Sequence, residues 1–322
     1  MYIFGADIGG TQARLALANA SSSGWEICQQ QIYKTCDFST ITHLLTQFLS
    51  DLPQPESAVL AVAGPINKTS NDTQASLTNV NWTMSRHSLQ QDMQIPKVEL
   101  INDFAAIAYA LPVLKADKLI PLKPGQTDPN APQALLGAGT GLGQAAVIPN
   151  DHASMVLASE GGHTDFSPRT PDQEQVYRYL ANQYHHVSVE RVLSGPGLEN
   201  IYQALKTPDD PVLTAADITN SGIQVNNKTA SRTLNTFASI YGAQAGNVAL
   251  HYMAEGGVYL AGGVSSKLAS YLPQSKFIEC FLDKGRFGDY LERIPVHIIN
   301  DELAGLTGTL QRAWSSPEIT TL

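Results

Sequence analysis

Asp7-Ile8-Gly9-Gly10-Thr11 stands between two apolar runs, Tyr2–Ala6 and Ala13–Leu17. Both runs read as strands, so the glycines mark a strand–turn–strand corner. The plan recurs at Gly137-Ala138-Gly139-Thr140-Gly141-Leu142-Gly143, between Ala134–Leu136 and Ala145–Ile148. Glycine lets backbone N–H groups approach a bound anion closely. Two such corners, far apart in the chain, point to a polyphosphate gripped from both sides of a cleft; ordinary Gly-rich hairpin turns are the plainer alternative. Neither corner is a dinucleotide fingerprint, since a G-x-G-x-x-G begun at Gly137 meets Leu142 in its last place. No Gly-Lys pair supplies a Walker loop, and both of those motifs open a helix rather than a strand.

Outward from these corners, strand-like and helical runs alternate, which argues an α/β chain. Ile41, Leu44, Leu45, Phe48, Leu49 and Leu52 recur at helical spacing, with Asp37 or Ser39 as cap and Pro53 and Pro55 beyond. Ala58–Ala63 reads as a buried strand, and Asn67 to Asn81 as a polar, loop-rich stretch. Ser85 starts a short helix, Val98–Ile101 is a strand, and Phe104–Leu111 an apolar helix. Pro121 to Pro132 looks like a linker. Helices are expected near Asp172–Tyr184, Ala230–Ala254 and Ala304–Trp314, and strands at Gly257–Leu260 and Val296–Asn300. The two glycine corners hint at two halves built alike.

At 322 residues the chain suits two domains and buries enough surface to need no staples. Cys28, Cys36 and Cys280 form neither a disulfide framework nor a C-x-x-C metal site, so reduced thiols in the cytoplasm are expected. A strand at the very start leaves no secretory signal, and no apolar run reaches the ~20 residues of a membrane span. Twenty Lys and Arg against 29 Asp and Glu give a net charge of -9, with no basic block, which argues against a nucleic-acid partner, as the lack of an apolar span argues against a membrane one.

Polar residues gather at the ends of apolar runs. Asn102-Asp103 follows a strand, where open α/β sheets bind ligands; Asp103 either meets a ligand or caps the next helix. Glu160-Gly161-Gly162-His163 offers a carboxylate and an imidazole suited to vicinal hydroxyls, or is merely a polar turn. Glu190 alone reads as a helix-surface charge satisfied by Arg191. Asp7 is a turn acceptor, or it implies Mg²⁺, because a carboxylate beside a phosphate loop needs a cation between them. Together these parts suit phosphoryl transfer from a nucleotide to a hydroxyl, with Asp103 taking the proton.

These residues carry a resemblance. The chain resembles bacterial glucokinases of the hexokinase/actin-like ATPase superfamily, outside the ROK group. The match runs nearly end to end, through DIGGTQARLAL (Asp7–Leu17), AGPI (Ala63–Ile66), LTNVNW (Leu77–Trp82), INDFAA (Ile101–Ala106) and GAGTGLG (Gly137–Gly143). It continues through SEGGHTDF (Ser159–Phe166), HVSVERVLSGPGL (His186–Leu198), AGGV (Ala261–Val264) and DKGRF (Asp283–Phe287). The resemblance implies a two-domain actin-like ATPase (ribonuclease H-like) α/β fold with an interdomain cleft. The small domain would hold residues 1–113 and 301–322, the large one 114–300. It implies a Mg²⁺- and ATP-dependent kinase acting on the 6-hydroxyl of D-glucose, the first step of glycolysis, and a homodimer. Asp103 would be the general base; Asn79, Asn102, Glu160, His163 and Glu190 would bind sugar hydroxyls. Gly9, Gly10, Thr11, Gly139, Thr140 and Gly141 would hold the ATP phosphates, and Gly262 and Gly263 would lie by the adenosine. Asp7 would reach Mg²⁺ through water.

Three departures stand out. Gln12 replaces the usual Asn, which bears on a phosphate-side role. Gly64 replaces a larger residue and should widen the sugar pocket. No cysteine follows His163 until Cys280, so the ROK-type zinc is not expected. An N-acyl-hexosamine or fructose kinase is the neighbouring enzyme reading. A sugar-sensing repressor would need a DNA-binding module before Asp7, where only six residues stand. A silent sugar-binding protein would more readily have lost Asp103 or the second glycine corner.

Overall fold

The computed structural model describes residues 1–77, 80, 82–150 and 154–315. The chain divides into two compact units, Met1–Lys115 with Asn150–Val156 and Asp301–Leu322, and Ala116–Pro149 with Leu157–Asn300. The first unit opens with β1 (Tyr2–Ile8), β2 (Gln12–Ser21), β3 (Gly24–Lys34), α1 (Ile41–Leu49) and β4 (Ser57–Val62). Then come β5 (Ile66–Lys68), β6 (Thr73–Ser76), β7 (Thr83–Ser85), α2 (Arg86–Met93), β8 (Lys97–Asn102) and α3 (Asp103–Ala110). The second unit runs β9 (Leu119–Lys123), β10 (Gln133–Ala138), β11 (Leu142–Ile148), β12 (Met155–Ser159, of which Leu157 onward belongs to this unit), α4 (Pro171–Ala181), α5 (Gly195–Leu205) and α6 (Ala215–Ile223). It continues with α7 (Lys228–Tyr252), β13 (Val258–Ala261), α8 (Gly263–Lys267), α9 (Phe277–Leu282), α10 (Gly288–Arg293) and β14 (Val296–Ile299). The chain returns to the first unit with α11 (Ala304–Trp314).

The two main sheets repeat one plan. The first has the order β3-β2-β1-β4-β8; the second, β12-β11-β10-β13-β14, adds β9 at its edge. In each, a glycine corner joins an antiparallel pair, β1/β2 or β10/β11, and the first strand of that pair then meets a parallel neighbour. This is the duplicated actin-like fold.

Strand alternation builds the layers. Phe4, Ala6 and Ile8 of β1 face α1 in one buried cluster, and Ile3 faces Leu306 and Leu310 of α11 in another. Asp7 shares the parity of Ile3, which sends its carboxylate to the α11 side.

Several expectations need correction. Thr40, not Asp37 or Ser39, caps α1: its hydroxyl accepts from the His43 N–H at 3.1 Å. The polar stretch from Asn67 to Asn81 holds part of a small antiparallel sheet, β5-β6-β7, whose strands are too short and polar to announce themselves. Asp72 pins it, accepting from the Ser85 hydroxyl at 2.7 Å and the Thr73 N–H at 2.8 Å. Pro121 to Pro132 is no linker. It begins in β9, and Lys123, buried, donates to the carbonyls of Pro124, Glu292 and Ile294. The Gln126 N–H reaches the Arg293 carbonyl at 2.8 Å, which fastens the segment to the second unit. The helix α5 was not among the expected elements; Ser194 caps it, its hydroxyl accepting the Gly197 N–H, with Pro196 in its first turn.

Candidate functional site

In the first unit the named residues lie at the carboxyl ends of the parallel strands. The register aligns Ile8 with Val62, and Val62 with Asn102. The Gly9–Thr11 turn closes through the Gly9 N–H to the Gln12 carbonyl at 2.9 Å. Thr35 braces it, its hydroxyl donating to the Gly10 carbonyl at 2.8 Å. Neither Gly9 nor Gly10 takes a positive φ, so clearance rather than handedness is what glycine supplies there.

Asn102 caps α3, its Oδ1 accepting the Phe104 N–H at 2.9 Å, and Asp103 Oδ1 accepts the same N–H at 2.9 Å. Asp103 is therefore the first residue of the helix rather than its cap. Burial raises its carboxyl above the ordinary value, against the opposing pull of the Phe104 N–H and Asn102.

Asp7 faces Arg14 across the hairpin, Oδ2 to Nη1 at 3.9 Å. A Cβ on Gly305 would come within 2.7 Å of Asp7 Oδ2, so the first turn of α11 sits on the carboxylate. Burial lifts the Asp7 carboxyl to about 6; Arg14 opposes the shift and the Asp103 charge adds to it. Arg14 was missed in the sequence, yet counting the hairpin register outward from Gly9 and Gln12 puts it opposite Asp7. Gln12 Oε1 accepts from Arg14 Nη2 at 3.3 Å, so it serves the arginine here.

The raised Asp7 value has a stability consequence. A carboxyl with a higher pKa in the folded chain binds more protons there, so stability falls as pH rises from about 4 to about 6. Asp7→Asn is expected to raise stability at pH 7 by on the order of 1–3 kcal/mol and to flatten that decline. Chemical denaturation from pH 4 to 7 checks it; a native chain at least as stable as the variant at pH 7 refutes it.

Gly64 does not widen a pocket. A Cβ there would lie 2.0 Å from the Ser76 carbonyl oxygen, so backbone fills the space. Asn79 lies outside the described residues.

In the second unit the Gly139–Gly141 turn joins β10 to β11, with the Gly139 N–H on the Gly141 carbonyl at 2.9 Å. Thr140 is exposed at its tip. At the carboxyl end of β13, Gly262 has φ +89° and would set a Cβ 2.3 Å from the Ala138 carbonyl oxygen, while Gly263 opens onto free space. Glu160 precedes and His163 ends a single 3-10 turn, with Oε2 and Nε2 3.9 Å apart and side chains 94% and 61% exposed. The His163 carbonyl accepts from His186 Nε2 at 2.8 Å. Glu190 is no solvated helix charge. Its Oε2 accepts the Leu142 N–H at 2.9 Å, and Arg191 instead stacks on Tyr184 at 4.0 Å. Each unit thus presents a glycine turn at strand ends with carboxylates beside it.

The profile of the Glucokinase family matches residues 4–315. A glucokinase of Nostoc punctiforme is 38% identical, covering 94% of this chain and 96% of its own. A glucokinase of Yersinia pestis is 37% identical over 95% of this chain and 94% of its own. The crystal structure of a glucokinase from an Antarctic psychrotroph superposes with a TM-score of 0.88 at 35% identity, covering 98% of this chain and 99% of that one.

Proposed function

Because the chain belongs to the glucokinase family, we propose that it transfers the γ-phosphoryl group of ATP to the 6-hydroxyl of D-glucose. The observation that carries the chemistry is Asp103, a desolvated carboxylate held at the carboxyl end of β8. In this reading Asp103 takes the proton of the 6-hydroxyl as the oxygen bonds to phosphorus. The electron pair of the broken P–O bond leaves on ADP, and the products are glucose 6-phosphate, ADP and a protonated Asp103. Asn102, Glu160, His163, Glu190 and Asn79 would bind the other hydroxyls; Gly9–Thr11 and Gly139–Gly141 would hold the phosphates, and Gly262 and Gly263 would border the adenosine.

Mg²⁺ would offset phosphate charge. Among the described residues no three or more His, Cys, Asp and Glu cluster as a metal cage. That fits an ion held by one or two carboxylates, water and substrate phosphates, and the half-buried, desolvated Asp7 suits it. A homodimer, a cytoplasmic location and a glycolytic role belong to the same proposal. Among the described residues no helix is long and apolar enough to cross a membrane.

A coupled assay over a hexose panel with ATP tests the reading: glucose should give the highest kcat/KM. Chelation with EDTA should abolish turnover and added Mg²⁺ restore it, with no stoichiometric zinc in the purified protein. Activity that survives EDTA would remove Mg²⁺ from the scheme, and a preference for another sugar would replace glucose.

A further inference from the structure

Leu142, the first residue of β11 after the glycine turn, is hydrogen-bonded at its N–H and closely packed at its carbonyl. Its N–H donates to Glu190 Oε2 at 2.9 Å. Its carbonyl oxygen lies where a Cβ on Gly162 would come within 2.2 Å, so the Glu160–His163 turn rests directly on it. A Cβ on Gly141 would stand 2.5 Å from Glu190 Oε2, so the carboxylate fills the space beneath the turn that a side chain would need. The other end of the turn is held by the same segment: the Gly195 N–H donates to the Gly139 carbonyl at 2.8 Å. The Ser194 hydroxyl ties that segment together, donating to the Glu190 carbonyl at 2.8 Å and accepting the Gly197 N–H at 3.0 Å. All of these contacts lie within the second unit.

We propose that Glu190 is a positioning residue for the Gly139–Leu142 turn, through which sugar binding and nucleotide binding strengthen each other. The inference rests on the proposed reading of Glu190 as a sugar ligand and of the turn as a phosphate ligand. One carboxylate oxygen fixes the Leu142 N–H, leaving the other for a sugar hydroxyl. A hydroxyl that donates to this carboxylate pins it and draws off negative charge. The turn above is then better set for phosphate oxygens, which the free carboxylate repels. Linkage makes the effect reciprocal: nucleotide must tighten sugar by the factor by which sugar tightens nucleotide.

Calorimetric titration of the full chain with Mg²⁺-AMPPNP, with and without glucose, tests this. Glucose should tighten AMPPNP by at least about fivefold in the native protein. Glu190→Asp keeps the charge but is too short to hold the Leu142 N–H, and should weaken sugar-free AMPPNP binding by about tenfold. Glu190→Gln keeps the reach and an acceptor oxygen and sheds the charge, so it should bind sugar-free AMPPNP at least as tightly as native. A residue that only binds sugar would leave sugar-free AMPPNP affinity equal in all three proteins, and that result overturns the positioning role. Independent binding of glucose and AMPPNP to the native protein overturns the coupling, whatever the variants do. Native protein that binds neither ligand would instead defeat the underlying kinase reading.

Discussion

Asp103→Asn is expected to keep glucose affinity within a few-fold and to lower kcat by about 10²–10⁴. The asparagine is nearly isosteric and retains the Oδ1 that accepts the Phe104 N–H. Asn102 shares that N–H at 2.9 Å, so the start of α3 has a second acceptor in any case. What the substitution removes is the proton acceptor. Because burial holds the Asp103 carboxyl above its ordinary 3.8, the native enzyme should lose kcat/KM on the acid side at a pH higher than a solvated carboxylate would dictate. Below that point Asp103 carries a proton and cannot take another; above it the rate should level off. The variant should lack this limb. A native-like kcat in Asp103→Asn, or an acid limb that persists in it, would take the base role away from Asp103.

The parts of this chain that were legible in its sequence follow a local rule. The Asp7 and Gly139 corners are each a short turn between apolar strands, so their partner strands had to be neighbours, and the hint of two halves built alike came with them. The closing helix was expected at Ala304–Trp314 and has those bounds. What escaped depended on partners remote in sequence. Glu190 reads as surface charge until the Leu142 N–H, 48 residues away, is brought to it. Lys123 lies in what reads as a linker until carbonyls from Glu292 and Ile294 enclose its ammonium group. Thr40 lost to Asp37 as a cap because cap propensity ranks residue types, whereas the backbone of this turn decides which hydroxyl meets the His43 N–H. The motif residues themselves could be named in advance. That Asn102 and not Asp103 caps α3 could not, since both side chains make the same bond to Phe104.

Gly308→Ala should cost about 3 kcal/mol and lower turnover on the order of 10²-fold, although residue 308 is not among the proposed ligands. A Cβ at Gly308 would stand 1.7 Å from the Ala106 carbonyl oxygen and 3.0 Å from the Ala110 nitrogen, so α11 touches the backbone of α3 there. The same helix is seated on β1 by two further close approaches. A Cβ on Gly5 would meet the Thr309 hydroxyl at 2.5 Å, and Gly305 lies against the Asp7 carboxylate. No rotamer can relieve a clash with a carbonyl oxygen, so the methyl group must move one helix away from the other. Moving α3 carries Asp103, its first residue, and moving α11 uncovers Asp7. The stability loss and the turnover loss should therefore appear together, with ligand affinities changed less than kcat. Gly263→Ala is the stability control, because nothing lies within 4 Å of a Cβ there, and its denaturation midpoint should match the native one. A Gly308→Ala protein with native midpoint and native kcat would mean that α3 and α11 do not need this contact to hold Asp103.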